Sequence, residues 1–368
     1  MNYLRFTAIF ITLPTLAFAG DVAEPYAAKA AAIVEAASNF QGGVSRGNAT
    51  VMRADASLAV DTSAANWWQG GEWFVQVLAD AGKSPSELTG DLQAFSNIDT
   101  EESFKIFQFW YQHNLLDDHC KLLFGLHDLN STFYALDSAA LFTHSSFGIG
   151  PDLSQVGPSI FPTTALTLHA TFTVDDNYAL VAIYDGIPGD PNNAKGTHVR
   201  LDKGDGLFKI IEAGVARENG DKLAIGTWQN TAHVENSIDG QWMDNNYGAY
   251  IIGQKSVSDA TQVFMQLGYA ANRKNSLDRY VGMGIAHQNL WHEGDNAGLG
   301  VAQAHNSRFF LAANPDYKKA ETTWDITYAF PLIEHVALQG SFFYIINPGT
   351  APDLKNAVAA SARAIIEF

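Results

Sequence analysis

The chain has 368 residues, 17% of them charged and 12% aromatic, and its 31 glycines and 12 prolines follow no period, which excludes a collagen-like or disordered chain. Its 22 basic residues face 39 acidic ones, a formal net charge of −17. With no basic stripe along the sequence, that balance argues against nucleic acid as a partner. The single cysteine, Cys120, cannot close an intramolecular disulfide and reads as a small packing residue.

Residues 1–19 have the form of an export signal. Arg5 supplies the positive start, 6–16 form a short apolar run, and Ala17-Phe18-Ala19 is a small-x-small cleavage site. The apolar run is shorter than the roughly 18 residues that a spanning helix needs, and no later stretch reaches that length. The domain reading is therefore a cleaved signal peptide over 1–19 and one β domain over 20–368.

Along that domain apolar and polar residues alternate with a period of two, the signature of a sheet with two unlike faces. The first segment, 20–41, is ambiguous. Its alanine-rich part, 27–37, suits either an amphipathic helix or a strand that continues over 33–41. Clearer strands follow at 51–60, 72–79, 103–113, 121–129, 164–174, 178–185, 207–216 and 222–231. The series ends with 247–255, 261–271, 279–287, 297–304, 321–330, 335–346 and 358–368. Most span about ten residues, the length of a tilted membrane-crossing strand, and with the first segment they make an even set of about sixteen.

The connections alternate in length. Short ones at 114–120, 175–177, 217–221, 256–260 and 331–334 are interleaved with long ones at 80–102, 130–163, 186–206, 232–246 and 305–320. A soluble sandwich has no reason to do this, whereas a transmembrane antiparallel barrel joins its strands by tight turns on one side and long loops on the other. Three connections depart from the pattern: 61–71 and 288–296 are long for turns, and 272–278 is short for a loop. The apolar stripes then face lipid and the polar stripes a wet lumen. Trp67, Trp68, Trp73, Tyr178, Trp242, Trp291, Tyr328 and Phe330 lie near strand ends, where an interfacial girdle would place them. Phe368 closes the last alternating strand and is similar to the terminal aromatic by which the outer-membrane barrel assembly machinery recognises its clients.

Several longer motifs resemble one family. SPSELTGDLQAFSNID at 84–99, LHDLNSTFY at 126–134 and HSSFGIGPDLSQVGPSIFPTTAL at 144–166 are similar to segments of the carbohydrate-selective porin family, OprB. So are AIYDGIPGDP at 182–191, DGLFKIIEAG at 205–214, KLAIGTWQ at 222–229 and INPGTAPDLKNA at 346–357. The resemblance implies an all-β transmembrane antiparallel barrel of sixteen strands in the outer membrane of a Gram-negative bacterium, passing carbohydrates such as glucose and other small solutes into the periplasm. It also implies a loop folded inward as a constriction, and 130–163 is the longest loop and the richest in family motif. The chain departs from the family in having few basic residues and an alanine-rich start.

A channel needs weak, multiple contacts that replace a solute's water hydrogen bonds. Alternation turns Arg53, Asp55 and Glu72 inward, and of Trp228 and Gln229, which lie on opposite faces, Gln229 is preferred for the lumen and Trp228 for the girdle. Loop residues Asp91, Gln93, Asn97, Asp128, Asn130 and Asp152 complete the candidate channel lining, each with the alternative role of capping a turn. Phe368 is the candidate assembly signal. No catalytic, cofactor or metal set is expected: His292 begins HEGDN rather than HExxH, and His144, Ser145 and Ser146 adjoin in sequence instead of forming a triad. The expected partners are carbohydrate solutes, outer-membrane lipid and the barrel assembly machinery, with the oligomeric state left open. A soluble periplasmic carbohydrate-binding β protein is the alternative, followed by an outer-membrane barrel enzyme.

Overall fold

A computed structural model describes residues 24–368. The expected signal segment, 1–19, lies outside the described residues. Sixteen antiparallel strands close into one barrel. In chain order they are β1 (Tyr26–Gly43), β2 (Gly47–Asp61), β3 (Gly71–Gly82), β4 (Ser103–Leu115), β5 (Cys120–His127), β6 (Ala165–Val174), β7 (Asn177–Asp185) and β8 (Leu207–Ala216). The second half comprises β9 (Lys222–Asn230), β10 (Asn246–Ser258), β11 (Thr261–Ala270), β12 (Leu277–Gln288), β13 (Asn296–Asn306), β14 (Ala320–Ile333), β15 (Val336–Ile346) and β16 (Lys355–Glu367). The alanine-rich segment is thus a strand and no helix. It pairs with β2 on one side and β16 on the other, which leaves the sheet without a free edge. Phe368 helps to make that seam, since its N–H donates to the Ala30 carbonyl at 2.8 Å and its own carbonyl accepts from Ala30 at 3.0 Å.

No helix among the described residues is long and apolar enough to cross a membrane; the strands cross it. The outward stripes carry Phe104, Phe124, Leu168, Leu223, Ile225, Ile326 and Phe342, all exposed. The inward stripes carry Glu35, Arg53, Glu212, Gln266, Thr323, Asp325 and Arg363, all buried. This inversion of polarity is what a barrel in lipid requires.

One rim is formed by tight connections and the other by longer loops. The second loop, L2 (83–102), and the third, L3 (128–164), turn into the barrel instead of standing above it. L3 carries only single turns of helix and packs its apolar side chains into the largest buried cluster among the described residues, with Phe142, Phe147 and Phe264 in mutual contact at centroid distances of 4.6 to 5.7 Å. Glycines on the inner wall leave space for it. A Cβ at Gly300 would lie 2.6 Å from the Phe147 ring, and one at Gly268 would lie 2.0 Å from the Asp152 carboxylate.

The outward stripe makes a prediction. Ile225, mid-strand in β9 and 60% exposed on the outer face, should lose about 2–4 kcal/mol of stability on Ile225→Lys, while Gln229→Lys near the rim of the same strand should lose no more than about 1 kcal/mol. Equilibrium unfolding from lipid vesicles measures both.

Candidate functional site

The docked loops divide the lumen in two. On the side of β8 to β16, several inward polar side chains hold the docked loops. Glu212 accepts from the Tyr134 N–H at 2.9 Å and from the hydroxyls of Tyr178 and Tyr250, each at 2.7 Å. The Lys222 ammonium lies 3.6 Å from the same carboxylate and donates to the Ala135 carbonyl at 2.8 Å. Further round, the Gln266 and Gln339 amides donate to the carbonyls of Phe147 and Leu141, each at 2.8 Å, and the Tyr280 hydroxyl donates to Ser146 O at 2.8 Å. L2 is held similarly. Glu321 accepts from the N–H groups of Leu92 and Gln93, and Ser96 donates to Glu35, itself paired with Arg363 at 2.9 Å.

On the side of β2 to β6 the wall stays open. A cavity of about 890 Å³ runs between it and the docked loops and reaches Tyr178, Lys222, Gln339 and Arg363 at its edges. A chain of hydrogen bonds crosses the wall: Gln76 donates to Asp55 at 3.5 Å, Gln108 donates to Gln76 at 3.0 Å, and the Asp128 N–H donates to Gln108 at 3.1 Å. Beside it Phe74 and Trp110 stack at 5.0 Å, and the indole N–H of Trp110 has no partner among the described residues. The Arg53 guanidinium sits 4.6 Å from the centre of the Phe161 ring of L3, with its Nε also unpartnered. Such a surface offers donors, acceptors and an aromatic edge to a polyhydroxylated solute.

Arg53, Glu72, Gln93, Asn97, Asp128 and Asn130 all border the cavity. Asp55 lies behind it and orients Gln76. Gln93 is largely committed to Glu321, and Asn130 bridges L3 by donating to the carbonyls of Phe133 and Gly148. Asp128 caps a short turn through the Asn130 N–H at 3.0 Å. Burial pushes its carboxyl up to about 7, against the opposing pull of that N–H and of Arg53.

Five residues are placed otherwise than expected. Asp152 is completely buried against Gly268 and lines no open space, and burial pushes its carboxyl up to about 7. Asp91 accepts from the Thr89 hydroxyl and is absent from the cavity wall. In β9 it is Trp228 that points inward, stacked on Phe208 at 5.9 Å, while Gln229 sits on the outer stripe with Leu223 and Ile225. Parity counted from those two exposed aliphatics fixes this. Tyr178, expected in the girdle, also faces the lumen, where its hydroxyl binds Glu212.

Gln76, Gln108, Trp110, Gln112, Lys121 and His169 were missing from the expected lining. Gln76 shares parity with Glu72 and was within reach of simple alternation. The β4 residues were not, because a bulge at Phe107 breaks the register between Gln76↔Gln108 and Val77↔Ile106 and turns Phe107 and Gln108 both inward. No group of three or more His, Cys, Asp or Glu among the described residues could hold a metal ion.

A closed sixteen-stranded barrel with an apolar belt, a polar lumen and a loop docked inside defines an outer-membrane porin, a channel fold rather than that of an enzyme. The model of the carbohydrate-selective porin, OprB family, matches residues 45–368, and the chain belongs to that family. It is an outer-membrane carbohydrate channel. Among solved structures it resembles OprB of Pseudomonas putida at high pH with a TM-score of 0.79 and 16% identity over 94% of each chain. The outer membrane channel DcaP of Acinetobacter baumannii gives 0.62 and 9% identity, over 93% of this chain and 97% of that one. A mutant of Rh. blastica porin gives 0.58 and 12% identity, over 93% of this chain and 100% of the other. No curated protein matches.

The docking of L3 makes two predictions. Glu212→Ala removes the shared acceptor of the Tyr134 N–H, two tyrosine hydroxyls and the Lys222 ammonium, a loss of about 3–5 kcal/mol. It should raise single-channel conductance and its noise while the barrel persists. Asp152 tests the pH dependence. Its buried carboxyl stays protonated to about pH 7, whereas an exposed one ionises near pH ~4, so docking takes up a proton between those values. The melting temperature of the wild type minus that of Asp152→Asn should therefore be largest below pH ~4, fall as the pH rises to about 7, and stay level above it.

Proposed function

We propose that the chain carries monosaccharides into the periplasm by diffusion along the β2–β6 side of its lumen. The observation that carries this reading is the wall itself. Its carboxamides Gln76 and Gln108, held in a chain from Asp55 to Asp128, the Arg53 side chain and the Phe74–Trp110 pair border the cavity and supply weak, directional contacts to hydroxyl groups. Glu72, Asn97 and Asp128 add acceptors along the same path. A wall of this kind exchanges water for solute without holding the solute long, as flux demands. L3 narrows the path, and Phe161 restrains the Arg53 fork from the loop side.

In this reading residues 1–19 direct export and are cleaved, the long loops face the outside, and Phe368 is read by the barrel assembly machinery. The exposed ring of Phe368, stacked on His335 at 5.6 Å on the outer surface, supports the last point. Asp91, Asp152 and Gln229 serve the architecture instead of the solute path.

Swelling of proteoliposomes in a panel of monosaccharides, disaccharides and amino acids tests the proposal. Monosaccharides should enter several-fold faster than disaccharides and amino acids. Arg53→Ala, which removes the restrained donor fork, should change the monosaccharide rate several-fold. Equal rates across the panel, or an unchanged rate in the variant, would sink it.

A further inference from the structure

The acidic chain carries one basic stretch of rim. Loops L6 (271–276) and L7 (307–319), far apart in sequence, together hold Arg273, Lys274, Arg308, Lys318 and Lys319 against Asp316 alone. They meet on Phe309, whose ring has the Arg273 guanidinium 5.1 Å and the Arg308 guanidinium 4.8 Å from its centre. Two like charges gathered on one ring repel each other unless an anion lies near.

No carboxylate supplies it. The other arginines in ion pairs have theirs: Arg200 with Asp190 and Asp202, Arg217 with Asp176, Arg279 with Asp278, and Arg363 with Glu35. Among the described residues Arg273, Arg308, Lys318 and Lys319 form no ion pair. Lys274 is occupied by the carbonyls of Asp244 and Asn245.

The outer barrel face beneath these loops changes character as well. Arg279, 61% exposed, stands on the outward stripe at the loop end of β12, in register with His305 of β13 on one side and Tyr269 of β11 on the other. A cation and an exposed tyrosine side by side mark the level of lipid headgroups, where a charge is tolerated that would be costly at the midplane.

We propose that this rim binds phosphate-bearing lipid headgroups of the leaflet on the long-loop side, with Arg273 and Arg308 as the principal donors. The planar guanidinium matches phosphate oxygens in pairs, and the Phe309 ring holds both forks in place at low entropic cost. The position beside the outward face selects a lipid over a soluble anion. This site is independent of what the lumen conducts.

Native mass spectrometry of the detergent-solubilised full chain, titrated with dioleoyl phosphatidic acid or dioleoyl phosphatidylcholine, tests the proposal. The wild type should bind phosphatidic acid at least ~10-fold more tightly than phosphatidylcholine. The variant Arg273→Gln/Arg308→Gln/Lys319→Gln should lose about 100-fold in affinity for phosphatidic acid, from the roughly fivefold that each surface cation contributes beside an anionic lipid layer. Arg217→Gln on the opposite rim should bind like the wild type, and the gel mobility of unboiled samples reports whether each barrel is folded. Equal affinity for the two lipids, or a triple variant that is folded and binds phosphatidic acid as tightly as the wild type, would overturn the proposal.

Discussion

The structure depends on one constraint: a long irregular segment, residues 128–164, is enclosed within a closed sheet. Its N–H and carbonyl groups cannot reach bulk water freely and must find partners on the inner wall. That requirement accounts for the polarity of one half of the lumen. Glu212, Gln266, Tyr280 and Gln339 serve L3 through four different strands, and Glu321 does the same for L2. Docking on one side then leaves the opposite side, β2 to β6, as the open path.

Two kinds of polar inward residue therefore coexist in this barrel. Those that hold loop backbone are buried and paired, as Glu212 is. Those that border the cavity, such as Glu72, Gln112 and Lys121, are only half-buried and form no side-chain hydrogen bond among the described residues. An unmet hydrogen-bonding capacity on a wet wall is what a passing solute exploits. The buried carboxyl of Asp152 belongs to neither kind. It is enclosed between the docked loop and the inner wall at Gly268, and burial there pushes it up to about 7.

The barrel was largely legible in the sequence because lipid imposes a strict period of two on every strand that meets it. Fifteen of the sixteen strands were found at nearly their observed places, and the first was left open between helix and strand because alanine suits either. The site was less legible, for definite reasons. Alternation places a side chain inside or outside, but it does not say whether an inward carboxylate will meet a loop or a solute, so Asp152 and Arg53 looked alike. The bulge at Phe107 inverts parity within β4 and hid Gln108, Trp110 and Gln112. At Trp228 the size of the side chain suggested a girdle, while the exposed neighbours Leu223 and Ile225 had already assigned the face. The basic rim was invisible for another reason, since its two loops join only when β12 and β13 pair.

The claim that solute follows one wall is open to direct measurement by single-channel recording. In a Cys120→Ser background, a cysteine replacing Gln112 on the open wall or Gln266 beneath L3 would be treated with a bulky charged methanethiosulfonate. The account predicts a large fall in conductance for the first and none for the second. Block at position 266, or unimpeded current after confirmed modification at 112, would contradict it.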